Sequence, residues 1–152
     1  MPEVGAPAPH FSGVTQDGSE ISLADFEGQK LALYFYPRDN TPGCTRQACN
    51  LRDNYDRLNE EGIAIVGVSD DPVDAHERFA DEHDLPFPLI ADTERAILHT
   101  YGAYGQKNLY GRIFMGTKRT TFLIDEDGMI VKIFKRPKTG EHADEIISGF
   151  RN

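Results

Sequence analysis

The stretch "KLALYFYPRDNTPGCTRQACN", residues 30–50, decides how the fold is read. Lys30–Pro37 is an apolar, aromatic run of strand length closed by a proline, which predicts a buried strand. Helical spacing follows, with Ala48, Leu51, Tyr55 and Leu58 on one face and Gly62 as the terminator. Between strand and helix lies the turn Asp39–Gly43, which runs straight into Cys44. Cys44 and Cys49 are the chain's two cysteines, and both fall in this stretch.

Outward from it, the alternation continues. Ile63–Asp70 reads as a second buried strand, and Asp71 with Pro72 opens a helix that runs to Asp84. Pro86–Asp92 is a short strand, and Thr93–Gly102 a helix stopped by its glycine. His10–Leu23 reads as a hairpin around Asp17-Gly18. Residues 103–118 are rich in Gly and Tyr and read as a loop. Arg119–Asp125 and Met129–Lys135 form an antiparallel pair, and Gly140–Phe150 a final helix. Strands alternating with helices predict an α/β fold, with a central mixed β-sheet flanked by helices on both faces. The crossovers between parallel strands are expected to be right-handed. One domain spanning residues 1–152 is expected from the length. Ligands of open α/β sheets bind beyond the carboxyl ends of the strands, which is where Cys44 falls.

Composition narrows the function. Hydrophobic residues make up 39% and charged ones 27%, as in an ordinary globular chain. A formal net charge of -9 argues against a nucleic-acid partner or an anionic membrane surface. No apolar run is long enough to span a bilayer, and "MPEVGAPAPHFSG" has no secretory signature. A cytoplasmic location is expected, where a cysteine pair is catalytic or metal-binding more often than a structural staple.

Thr41 is a favourable N-cap and Pro42 fits the first helical position. Gly43 permits a close approach to the backbone. Cys44 then falls in the first turn, where unpaired N–H groups and the helix dipole favour a thiolate. That is the setting of an activated nucleophile. The plainer alternative is a cysteine that merely packs at a helix start. Residues five apart in a helix rise about 7.5 Å, too far for a disulfide unless the first turns unwind. The pair therefore reads as a switch, unless Cys49 is simply a small core residue. A Cys-x-x-Cys redox motif is absent, and four closely paired zinc ligands are not present in sequence. The five histidines are scattered, none is close to the cysteines in sequence, and no histidine base can be nominated from spacing. His76 and His83, seven apart on a helix, read as a solvated face.

The segment "YPRDNTPGCTRQAC", residues 36–49, resembles the active-site segment of the peroxiredoxins. Pro37, Thr41 and Cys44 match that family's Pro-x-x-x-Thr-x-x-Cys pattern. The Cys-x4-Cys spacing and "TPGCT" resemble the bacterioferritin comigratory protein or PrxQ subgroup. Residues 104–128 and 135–147 are similar to the same subgroup, with Tyr104 and Phe134 where relatives often carry tryptophan. The resemblance implies a thioredoxin-like fold and a thiol peroxidase active on hydrogen peroxide and organic hydroperoxides. It makes Cys44 the peroxidatic cysteine and Cys49 the resolving one, joined as an intramolecular disulfide. Thr41 would hydrogen-bond to peroxide or thiolate, Pro37 would shield the sulfur, and Arg119 would contact both thiolate and peroxide. Gln47, one turn after Cys44, would help orient that guanidinium, the plainer reading being a polar surface residue. Thioredoxin or a similar dithiol is the implied reductant, no cofactor or metal is required, and a monomer is implied. Two other readings use the same cysteines: a redox-sensing binding module with a disulfide switch, and a metal-binding module that adds a distant histidine.

Thiolate formation alone does not make a fast peroxidase. Lowering a thiol pKa from about 8.5 to about 6 raises the thiolate fraction at pH 7 roughly thirtyfold. A Brønsted slope of about 0.4–0.5 takes back roughly tenfold. Donors aimed at the developing charge must supply the rest.

Overall fold

The computed structural model describes residues 1–151. Its centre is a five-stranded mixed sheet in the order β5-β4-β3-β8-β9. These strands are β3 (Lys30–Phe35), β4 (Ile63–Ser69), β5 (Leu89–Ala91), β8 (Thr120–Ile124) and β9 (Ile130–Phe134). β3 pairs in parallel with β4 and antiparallel with β8, so the quoted run lies in the middle of the sheet. Burial on both faces explains why Lys30–Phe35 reads as continuously apolar instead of alternating.

Period-two geometry divides β3 between two cores. Ala32 and Tyr34, with Tyr36 beyond the strand, enter one; Leu31, Leu33 and Phe35 enter the other. The first core is roofed by α1 (Pro42–Asp53), α2 (Tyr55–Glu60), α3 (Val73–His83) and α5 (His142–Arg151). The second is covered by α4 (Ala96–Thr100) and a short 3-10 helix, Leu23–Phe26. The antiparallel pair β1 (Ser12–Val14) and β2 (Glu20–Ser22) adds Ile21 to that cover. Helices therefore flank both faces, most of them on one. Chain order explains the imbalance: the path β3→β4→β5 steps steadily one way, so crossovers of one hand bring α1, α2 and α3 to the same face. Among the described residues, no helix is long and apolar enough to cross a membrane.

Three elements depart from the sequence reading. The helix expected from Cys44 to Gly62 is broken at Asn54, which lies outside helical geometry (φ -110, ψ 16). The Asn54 side chain donates to the Asn50 carbonyl at 2.8 Å, the local competition through which asparagine interrupts helices. Pro72 caps α3 instead of opening its first turn. The largest difference is in residues 103–118, read as a loop: they pair as β6 (Tyr104–Leu109) and β7 (Arg112–Thr117). Tyr110 and Gly111 close this hairpin with φ of 53 and 80, the two left-handed residues of a type I′ turn.

Candidate active site

Strand β3 delivers the chain to the mouth of the sheet, and the turn after it seats α1. Thr41 is the N-cap residue with extended dihedrals, and Cys44 follows in the first turn at 1% exposure. The Thr41 hydroxyl does not cap the helix. It donates back across the turn to the Arg38 carbonyl at 2.8 Å, which fixes the turn and leaves the helix N–H groups open. Thr45 N closes the first helical bond to the Thr41 carbonyl at 2.8 Å.

Arg119, in the link between β7 and β8, enters from the opposite side. Its Nη2 donates to Cys44 Sγ at 3.3 Å and its Nη1 to Gln47 Oε1 at 2.6 Å. Gln47 is wholly buried one turn along α1, so a single helix carries both the sulfur and the group that aims the guanidinium. Its Nε2 has no hydrogen-bond partner among the described residues. Gly43 makes this approach possible: a Cβ there would lie 3.2 Å from Arg119 Nη2. The site floor is apolar, with Tyr34, Tyr36 and Ala48 in one cluster with Cys44. Burial, and then the charge of the neighbouring Cys44, pushes the Tyr34 hydroxyl well above its ordinary pKa. On β6, burial and then the Arg119 charge hold the Lys107 ammonium below its ordinary range.

Pro37 and Thr41 line a cleft of about 400 Å³ whose other walls include Arg95, Tyr104, Phe114 and Met115. The β6–β7 hairpin thus forms one wall of this cleft. Pro37, Thr41, Cys44, Gln47 and Arg119 are gathered at this end of the sheet. Cys49 is farther along α1, half-buried, and both cysteines are free thiols.

The segment holding the two cysteines is pinned at each end. On its N-terminal side, Asp39 Oδ1 accepts from the Tyr36 hydroxyl at 2.6 Å, and its Oδ2 is 2.6 Å from His76 Nδ1. Asp39 N donates to Asp71 at 2.9 Å, and His76 Nε2 donates to the Ile90 carbonyl at 2.9 Å. On the C-terminal side, Asn50 donates to the Gly140 carbonyl at 2.9 Å and accepts from Ala143 N at 2.8 Å.

Histidine placement corrects the sequence reading. His76 is fully buried, and His83 is half-buried with its Nδ1 3.9 Å from Cys49 Sγ, so neither lies on a solvated face. The spacing did carry a signal for His76: it shares the inward stripe of α3 with Phe79 and Ala80. Nothing in spacing puts residue 83 against residue 49, because that contact depends on how α3 docks. The ligand atoms of Asp39, Asp71 and His76 lie within 4.8 Å of one another, and all three residues are engaged in protein hydrogen bonds.

A cysteine in the first turn of a helix, faced by an arginine on an α/β sheet of this order, defines the class of thiol-based oxidoreductases with a thioredoxin-like fold. The AhpC/TSA family model matches residues 4–133. Peroxiredoxin Bcp of Escherichia coli is 41% identical over 146 residues, 96% of this chain and 94% of that protein. Among solved structures, a Cys-to-Ser variant of Xylella fastidiosa PrxQ superposes with a TM-score of 0.91 at 27% identity, covering 99% of this chain and 96% of that one. Xanthomonas campestris bacterioferritin comigratory protein, the subject of work on alkyl peroxide reduction, superposes at 0.86 with 30% identity, covering 93% of this chain and 90% of that one. The chain belongs to the AhpC/TSA family, in its peroxiredoxin Bcp and PrxQ branch.

Proposed function

We propose that this peroxiredoxin reduces hydrogen peroxide and organic hydroperoxides through Cys44 and Cys49, with thioredoxin or a similar dithiol as the electron source. The observation that carries the reading is the Arg119 guanidinium, held by Gln47 and donating to Cys44 Sγ at 3.3 Å. The Cys44 thiolate attacks the nearer peroxide oxygen. The O–O bond breaks, sulfur gives up two electrons, and the other oxygen leaves as hydroxide or alkoxide and takes a proton. Negative charge moves from sulfur to the departing oxygen along this path. Arg119, and the Cys44 backbone N–H in the open first turn, are donors placed to follow it. The apolar floor strengthens each such interaction by excluding water. Thr41 and Pro37 bound the cleft through which peroxide enters.

Cys44 is then a sulfenic acid. Cys49 condenses with it, giving an intramolecular disulfide and water. The reductant restores both thiols. The reported interest in alkyl peroxide reduction by the Xanthomonas relative supports including organic hydroperoxides. A monomer acting in the reducing cytoplasm completes the reading.

Turnover coupled to thioredoxin and thioredoxin reductase tests it. Wild type is expected to cycle, Cys44→Ser to show none, and Cys49→Ser to complete its first oxidation and then over-oxidise at Cys44 under excess peroxide. Peroxide reactivity without turnover would instead make the chain a redox sensor. Stoichiometric zinc with loss of peroxide reactivity would make it a metal-binding module.

A further inference from the structure

Three side chains from three parts of the fold meet at the second cysteine. Cys49 Sγ on α1 lies 3.9 Å from His83 Nδ1, at the last residue of α3. The other ring nitrogen, His83 Nε2, lies 3.4 Å from Oδ1 of Asn40, in the turn that precedes Cys44. An amide oxygen only accepts, so Nε2 carries the proton. That tautomer leaves the Nδ1 lone pair directed at the Cys49 thiol. The ring is held in place: it meets Phe79 edge-on with centroids 5.2 Å apart, and Arg52 Nη1 donates to the His83 carbonyl at 2.7 Å.

We propose that His83 is the base that deprotonates Cys49 for the resolving step, and that Asn40 is its positioning residue. The order thiol, imidazole, amide is that of Cys-His-Asn nucleophile activation, applied here to the resolving cysteine. The inference rests on the peroxidase reading above. His83 Nδ1 takes the Cys49 proton. The thiolate attacks the sulfur of the Cys44 sulfenic acid, the S–S bond forms, the S–O bond breaks, and hydroxide leaves. The proton taken by Nδ1 balances that hydroxide, so the products are one disulfide and one water. The Cys49 lone pair becomes the S–S bond, so Cys49 is oxidised and Cys44 reduced by one electron each and both sulfurs end at the disulfide level. The charged groups around the imidazole favour the step. Arg52, on the same face of α1 as Cys49, is paired with Asp53, and Asp84 follows His83 at the helix end. The hydrogen bond to Asp53 chiefly raises the Arg52 pKa, with a smaller contribution from the nearby Cys49 charge.

An unassisted thiol of ordinary pKa is about 3% ionised at pH 7, so a base can contribute up to about thirtyfold there and little above about pH 9. The test is rapid-quench alkylation and intact mass after mixing reduced protein with hydrogen peroxide. It separates a peroxide-dependent first phase, sulfenic acid formation, from a peroxide-independent second phase, disulfide formation. In His83→Gln the second phase is expected to slow by about ten- to thirtyfold at pH 7 and to approach wild type by about pH 9.5. Asn40→Gly, which suits the left-handed backbone at φ 61, is expected to give a smaller defect with the same pH dependence. An equal second phase in His83→Gln and wild type would overturn the inference. So would a defect of constant size across pH, which would mark a structural role. A wild type lacking the fast first phase would overturn the peroxidase reading instead, and the inference with it.

Discussion

Arg119 shows how much of the proposed chemistry rests on single residues. One guanidinium edge is fixed by Gln47 and the other faces sulfur, so the donor is aimed before any substrate arrives. Arg119→Ala is expected to lower the second-order rate with hydrogen peroxide by about a hundred- to a thousandfold. A thiolate titration of the same variant, followed at 240 nm, is expected to account for only a few-fold of that loss. A titration shift large enough to explain the whole loss would contradict transition-state stabilisation by Arg119. Gln47→Leu separates aiming from charge. It is expected to cost about tenfold or more in rate through misplacement of the guanidinium. Thermal stability should change little, because the orphaned Nε2 is removed together with the bond. Unfolding of Gln47→Leu well below the wild-type melting temperature would show that Gln47 is chiefly structural. The place of Cys44 in a first helical turn was legible from its neighbours Thr41, Pro42 and Gly43, which write a helix start. Arg119 was not: a lone arginine before a strand carries no local signal, and only family resemblance selected it.

At the scale of elements, α1 is the part that the proposed cycle requires to change. Its two cysteines need the first turns unwound before a disulfide can close. The fixed points are Asp39, held by Tyr36, His76 and Asp71, and Asn50, held by the start of α5. Both cysteines lie between them. Amide exchange by mass spectrometry is therefore expected to rise between residues 40 and 49 on oxidation and to stay unchanged in β3 and β4. Loosening that spreads into the sheet would contradict a bracketed switch. Near the second anchor, His142 donates from Nδ1 to Glu145 at 2.8 Å and accepts from Thr121 at 2.8 Å. Burial pushes its pKa below the ordinary 6.5, against the pull of Glu145. The folded state thus resists a proton that the unfolded chain accepts. Stability is whole above the ordinary value of 6.5 and is lost as pH falls below it. His142→Gln is expected to be destabilising at about pH 7.5, with the deficit shrinking by about pH 5.5, read from urea midpoints. A deficit that does not vary with pH would refute this. The break at Asn54 was hidden because apolar spacing continues through it to Leu58, while the cause is one side-chain hydrogen bond.

Over the whole molecule, the sheet was legible and the hairpin that walls the neighbouring cleft was not. The runs in β3 and β4 are apolar because both of their faces are covered, and length with flanking turns marks them as strands. The β6–β7 hairpin has no such cover. Leu109, Ile113 and Met115 are exposed and Tyr110 is 99% exposed at its tip, so only the base of the hairpin is covered and no apolar alternation is written. Its one clue was Tyr110-Gly111, which asks for left-handed backbone at a tyrosine, an uncommon choice. Docking of α3 on α1 was equally silent, and with it the meeting of His83 and Cys49. Phe114 and Met115 bring the hairpin to the cleft wall. Replacing both with Ala is expected to alter kcat/KM for a bulky organic hydroperoxide several-fold more than for hydrogen peroxide, by competition assay. Equal changes for the two would remove the hairpin from substrate choice. The central claim, that Cys44 and Cys49 of one chain form a preorganised peroxidase pair, is tested most directly by rapid mixing. Fully reduced protein meets one equivalent of hydrogen peroxide, and thiol content and intact mass are followed. The account predicts loss of both thiols far faster than free cysteine reacts, with a mass lower by two hydrogens and no covalent dimer. Thiol loss no faster than that of free cysteine would contradict it.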